Sequence, residues 1–542
     1  MLTTMALIHQ REVGLPKERV RLYSLAVQVL LIKWQRRKGF SVSPDLASVL
    51  SDDLKLRTML ERLAYEAHQG QADRSRAADL RRKDILSTLE EPAHLADIGL
   101  AAEFLDYVDQ RAGVLVGHGG GDGRGVPKTY TFPHRTFQEY LAGCYMVGEW
   151  DAVEVYWRHA GEGDAWYLAA MLGAEELRYN RRSVKELLNL AYDLVPDGAA
   201  ETDQTWRATL WSGQMAALFS SAEIRRSMRG PKSGGTYLDR LVPRLVQILR
   251  QATLPAVERA EAGNALARLG DPRLGVGLRD DGLPDTVWCE VPAGPFLMGS
   301  TDRDEMAYDD EKPQHRYGIE APYGISRYPI TNAQYATFVQ GGGYAERRFW
   351  TDTGWAWLVD RDLVGPEDYG PPFDLPNCPA VGVSWYEAVA FCRWLTEALW
   401  RTDDLRDDQE VTLPTEPQWE KAARGVDGRR YPWGADPDPD RANYDDTGIG
   451  SSCAEGCFPG GASPYGVEDL SGNVWEWCAT KWEDDYEGYE NDSSLEGSEP
   501  RVLRGGAFDN DTRVVRCACR VRYNPSYRDR YNGFRVVVSP YL

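Results

Sequence analysis

From Arg501 to Leu542 the chain contains no Lys, Glu, Gln, Met or Trp, although the preceding fifty residues hold eight Glu. Other shortages bound the whole chain. Lys and Arg number 62 against 83 Asp and Glu, for a net charge of -21. Such an acidic balance argues against non-specific attachment to nucleic acid or to an anionic membrane, because neutralising phosphates takes a basic surface. No run of 18 apolar residues occurs, so no membrane-spanning helix is expected. The opening MLTTMALIHQREVGL lacks a basic stretch followed by a long apolar core, which makes a secretory leader unexpected. Nine Cys, an odd number without a dense framework, read as free thiols in a cytoplasmic protein. Cys453-x-x-x-Cys457 and Cys517-x-Cys519 are the close pairs, and neither has zinc-finger spacing with a second half. The phosphate-loop pattern Gly-x-x-x-x-Gly-Lys-Ser/Thr is also missing. Gly117 to Gly125 (GHGGGDGRG) reads instead as a flexible hairpin tip, and no nucleotide cofactor is expected.

What is present suggests an α+β chain, with a winged-helix-like and HEAT-like helical half followed by a loop-rich half. A length of 542 residues suits two to four domains. Leu22, Leu25, Ala26, Val29, Leu30 and Trp34 recur at three- and four-residue steps, as do Leu60, Leu63 and Ala64, so each set marks one helix face. The phrase YTFPHRTFQEYLA (130–142) and the opening LTTMALIHQREVGLPKERVRLYSLAVQVLL resemble the end of a NACHT-type STAND ATPase module and the helical stretch behind its nucleotide-binding core. The core that should precede them is missing. The resemblance therefore implies a chain that does not hydrolyse ATP by itself, either a shortened descendant or a start codon inside a longer gene. His134 is expected to be structural. Residues 151–285 read as a helical connector. Within it, Val242 to Leu274 resembles one HEAT-like helix pair, which must pack on neighbours to bury its face.

From Asp285 helical periodicity gives way to segments rich in Gly, Pro, Trp and Tyr. Ser384 with Glu387 forms the pattern of a capping box, and Ala388, Phe391, Cys392 and Leu395 then share a helix face. Thr415 opens a second helix with Pro417 in its first turn. The ordered phrases VPAGPFLMGS (291–300), YPITNAQYATFV (328–339), PAVGVSWYEAVAFCRWL (379–395), LPTEPQWEKAAR (413–424), SPYGVEDLSGNVWEW (463–477), RVLRGGAF (501–508) and NGFRVV (532–537) are similar to the formylglycine-generating-enzyme (sulfatase-modifying factor) domain. That resemblance implies a variant of the C-type lectin fold over 286–542. It also implies where a copper-binding cysteine pair would stand. The matching stretch, Phe508 to Val515, has no Cys; Cys517 matches a later, noncatalytic position and Cys519 a variable one. A copper(I) site needs thiolates, so no copper and no catalysis are expected. Calcium, which suits hard oxygen ligands, is implied at Glu476 with carbonyls around Gly472 and Val474, and at Asn443 with Asp445 or Asp446. The plainer reading of Glu476 is a cap on its adjacent turn.

The C-terminal composition carries the functional reading. A fixed frame (Arg504, Gly505, Gly506, Arg516, Arg520, Arg522, Pro525, Gly533, Phe534, Arg535) alternates with positions holding Asp, Asn, Thr, Val, Cys, Tyr and Ser. This is the set of residues reached when the adenines of an AAC codon are randomised, a set without Lys, Glu, Gln, Met or Trp. The segment 504–535 thus resembles the variable region of a diversity-generating retroelement target protein. The resemblance implies a binding site on a rigid scaffold, contacting a ligand, expected to be a protein, through Phe508, Asp509, Asn510, Asp511, Val514, Cys519, Val521, Tyr523, Tyr527, Asp529 and Tyr531. The other reading is that the three tyrosines only pack on the domain. No nucleic-acid or membrane partner is expected. The alternatives for function are a fixed-ligand sensor of a STAND-type conflict system and a copper-dependent oxidase of the formylglycine-generating type.

Overall fold

Helix starts are set by side-chain caps. Asp52 accepts from the Lys55 N–H at 3.0 Å and opens the helix Asp53–Gln69, which buries Leu56, Met59, Leu60, Leu63 and Ala64. This helix packs on Arg135–Met146. Gly143 of the latter faces Gly173 of the helix Tyr167–Glu175, and a Cβ at Gly143 would overlap the Ala169 carbonyl. Strand Thr129–Thr131 pairs antiparallel with Leu80–Arg81 on one side and Val116–His118 on the other. The last pairing is the hairpin expected around the glycine run, whose residues 120–125 lie outside the described residues. The computed structural model describes residues 18–35, 42–71, 77–111, 115–119, 126–195, 197–198, 202–227, 233–251 and 253–540. Leu22, Leu25 and Ala26 lie on the helix Arg19–Gln35. The side chains of Val29, Leu30 and Trp34 fall outside the described residues. His134 N-caps Arg135–Met146 without a side-chain cap bond and packs edge-on against Phe137, a structural position.

The chain parts into two compact units at about residue 220. In the second unit, the helix Ala256–Leu269 belongs to the loop-rich domain rather than to a connector. Arg259 donates to the carbonyls of Cys457 and Asp440, both at 2.8 Å, and Asn377 donates to the Gly263 carbonyl at 3.1 Å. A Cβ on Gly263 would meet that of Ala454 at 2.7 Å, so the close approach requires glycine.

Two four-stranded sheets organise the second unit. In one, Trp288–Val291 and Val537–Pro540 flank Tyr323–Ser326, and Gln409–Thr412 extends the sheet beyond Val537–Pro540. In the other, Arg520–Tyr523, Arg501–Arg504, Trp475–Lys481 and Asn532–Gly533 lie side by side. Helix Trp385–Arg401 starts at the Ser384–Glu387 capping box and is buried on nearly every side, with Trp385, Phe391 and Leu395 in one cluster with Trp477, Leu503 and Phe534. Thr415 and Gln418 cap Glu416–Arg424 in the same way. The architecture is α+β, a helical region followed by a C-type-lectin-like domain.

Candidate functional site

The fixed arginines reach inward to glutamates supplied by other segments. Arg520 grips Glu416 with two bonds, at 2.8 and 2.9 Å, and Arg504 pairs with Glu420 of the same helix. Arg516 holds Glu311 at 2.8 and 2.5 Å, and Arg535 holds Glu476 at 2.6 and 2.7 Å. All eight side chains are buried. Two-point guanidinium–carboxylate bonds fix orientation as well as distance, so the backbone between these arginines is pinned from beneath. Gly505 and Gly506 have φ of +96° and +76°, conformations other residues avoid. Pro525 is buried. Arg522 is the exception in the frame, an exposed side chain paired with Asp484 at 2.5 Å.

Between the pins lie two surface loops. Tyr523 and Tyr527 are 39% and 38% exposed and stack on each other, with centroids 4.6 Å apart and planes 14° apart. The Tyr527 hydroxyl donates to Asp529 at 2.8 Å, and that bond, more than burial, pushes the phenol up to about 12. Tyr531 is half-buried against Phe508, at 5.2 Å between centroids, and this contact ties the loop 523–531 to the loop 508–514. Asp509 and Asp511 are exposed; Asp511 spends one oxygen on the N–H groups of Arg513 and Val514. Asn510 closes its own turn, accepting from the Ala507 N–H at 2.8 Å. Val514 and Val521 are partly buried against the core.

Two expected contact residues require correction. Cys519 is 1% exposed and part of the central cluster, where burial pushes its thiol up to about 12. Phe508 is 4% exposed and sandwiched between Tyr531 and Phe373. Neither touches solvent enough to meet a ligand as the face stands. Phe373 itself, with Tyr369 beside it, stands over a hundred residues before the segment 504–535, so no local pattern joins the two.

The calcium expectation at Glu476 is also corrected. Its carboxylate accepts from the Trp419 indole at 2.6 Å and from Arg535 on both oxygens, so its charge and lone pairs are used within the protein. Gly472 and Val474 instead form a turn, with the Val474 N–H on the Gly472 carbonyl at 2.9 Å. Asn443 keeps one buried oxygen without a partner, but Asp445 is exposed in a short 3-10 turn, and its N–H bonds to the Asn510 carbonyl. Among the described residues no three Asp, Glu, His or Cys side chains converge to hold a metal ion. Among the described residues no helix is long and apolar enough to cross a membrane.

The sulfatase-modifying factor enzyme 1-like domain matches residues 279–540, and the winged helix-turn-helix domain C-terminal to NACHT matches residues 19–146. Formylglycine-generating enzyme of Thermomonospora curvata is 32% identical over 46% of this chain and 92% of its own length. Hercynine oxygenase of Mycolicibacterium thermoresistibile is 33% identical over 50% of this chain; the chain spans 63% of that relative's length. The structure of Treponema denticola variable protein 1 aligns at 21% identity and a TM-score of 0.35, covering 47% of this chain and 95% of that one. The chain belongs to the sulfatase-modifying factor enzyme 1-like family. The expectation of a chain without catalysis does not stand, because relatives matching about half of the chain are named enzymes and the family is enzymatic.

Proposed function

We propose that the C-terminal domain recognises a protein ligand through the surface formed by Asp509, Asp511, Tyr523, Tyr527, Asp529 and Tyr531, and that a diversity-generating retroelement rewrites these positions. The observation that supports this best is the alternation of roles along one short segment. Arg516, Arg520 and Arg535 are buried and doubly bonded, while Tyr523 and Tyr527 between them are exposed and stacked. Loops held by a rigid scaffold tolerate replacement, and tyrosine supplies large contact area at small ordering cost. The winged-helix region would couple ligand binding to a partner. Sequencing the DNA that flanks the gene tests the proposal. A near-copy of the 3′ end, differing only where the copy has adenine, is the expected result. Its absence would leave a fixed-ligand sensor.

A second reading rests on the match to 92% of a formylglycine-generating enzyme. On it, the bound ligand is also a substrate, and the chemistry is an oxidation of the kind those relatives' names describe. Incubating the chain with cysteine-containing peptides and oxygen, with and without copper(I), tests it by the mass of the product.

A further inference from the structure

A cavity of about 320 Å³ opens between the helix Asn332–Gln340 and the loop 366–374. Three carboxylates line it, Glu367, Asp368 and Asp374, together with the rings of Tyr335, Tyr369 and Phe373. No Lys, Arg or His is among the lining residues. All three acids are exposed, and Glu367 shares a side-chain hydrogen bond with the Tyr369 hydroxyl. Asp368 accepts only from the Gly370 N–H, at 2.8 Å. The loop is held in place, because Asn332 donates to the carbonyls of Phe373 and Leu375 at 2.7 and 2.9 Å.

The cavity is continuous with the variable face. The Phe373 ring touches Phe508 at 5.8 Å, and Phe508 touches Tyr531. The Glu367 N–H bonds to the Gly382 carbonyl at 3.0 Å, and the Gly382 N–H to the Asp529 carbonyl at 2.9 Å. Gly382 has φ of +70°, and a Cβ there would overlap the Glu367 carbonyl, so the close approach requires glycine.

We infer that this cavity receives a guanidinium side chain of the ligand bound at the variable face. The inference rests on the recognition reading above. Three exposed carboxylates supply the charge complement, and the Phe373 and Tyr369 rings supply flat faces on which a guanidinium stacks better than an ammonium. Burial, and then the charge of Glu367 and its hydrogen bond, hold the Tyr369 phenol above its usual range. Two arginines of the chain stand nearby, and both are engaged. Arg528 binds Glu387 and the Gly365 carbonyl, and Arg530 donates to the Tyr531 hydroxyl while lying 5.8 Å from the centre of the Phe373 ring. Arg530 shows that the Phe373 ring accepts a guanidinium.

The test is a titration of the full chain with acetyl-arginine amide, followed by ligand-observed magnetic resonance. Saturable binding is expected in the wild type. It should weaken at least ~10-fold in the triple variant Glu367→Gln, Asp368→Asn, Asp374→Asn, since charge-assisted contacts are lost. Asp302→Asn with Asp407→Asn, which removes two exposed acids elsewhere, should leave it unchanged. If the triple variant fails to fold by circular dichroism, Asp374→Asn alone should weaken binding measurably. Equal binding by the charge-neutralised variant, equal binding of acetyl-norleucine amide, or no binding up to ~10 mM (weaker than the millimolar range) overturns the inference. The titration is independent of whether the codons diversify, so its failure beside a found template repeat would remove the cavity's role and leave the recognition reading intact.

Discussion

Arg535 donates to both oxygens of Glu476, at 2.6 and 2.7 Å, and neither side chain reaches solvent. Residues 59 apart in the chain thus close the core beneath the C-terminal face. Removing one member strands the other as a buried charge. Arg535→Met is expected to destabilise the second unit by ~3–5 kcal/mol, and the double variant with Glu476→Leu to recover much of that loss. Urea unfolding of the three proteins reads this out, and a double variant no better than the single one would refute the pairing.

The exposed tyrosines should behave in the opposite way. Tyr523→Ala and Tyr527→Ala remove a surface stack and no buried bond, so each is expected to change stability by less than ~1 kcal/mol. Their thermal transitions should superimpose on the wild type within a few degrees. A loss comparable to that of Arg535→Met would mean that these rings are packing residues and not a contact surface.

Glu455 is fully buried, and neither of its carboxyl oxygens has a donor. Burial, and then the negative Asp469 beside it, hold its carboxyl well above the usual range. Between the ordinary glutamate value and that raised value the folded protein keeps a proton that the unfolded chain releases. Stability from this group is therefore present at low pH and lost as pH rises. Glu455→Gln lacks the titration. Its advantage over the wild type should widen from pH 5 to pH 8, by up to ~1.4 kcal/mol per unit. Parallel stability profiles would contradict the assignment.

All nine cysteines are free, and only Cys289 is not fully buried. Burial raises the thiols of Cys517 and Cys519 to about 12, and thiolate is the reactive form. A colorimetric disulfide reagent at pH 8 is expected to titrate at most one thiol in the native protein and nine after denaturation. Rapid reaction at Cys519 would return it to the contact surface.

The frame of this site was legible in the sequence and its partners were not. Arg504, Arg516, Arg520 and Arg535 belong to the fixed frame that the resemblance implies, and the capping boxes at Ser384 and Thr415 are local patterns that fold as written. Glu311, Glu416 and Glu420 lie far along the chain from the arginines they hold, and no local rule joins them. Glu476, which the family resemblance implies for calcium, is likewise held by a guanidinium from another strand region. Cys519 and Phe508 were misread for a different reason. Residue composition says nothing of burial, which depends on which way a strand or turn faces. The helix Ala256–Leu269 has an ordinary repeat-like pattern, and only Arg259 and Gly263 meeting their neighbours make it part of the second unit.

The decisive measurement is the sequence of the 3′ end of this gene in many independent isolates. Replacements are expected to crowd at Asp509, Asp511, Tyr523, Tyr527, Asp529 and Tyr531, with Arg504, Arg516, Arg520, Arg535 and their glutamates constant. Replacements spread evenly over the segment, or falling on the buried arginines as often as on the exposed tyrosines, would contradict a diversified recognition face.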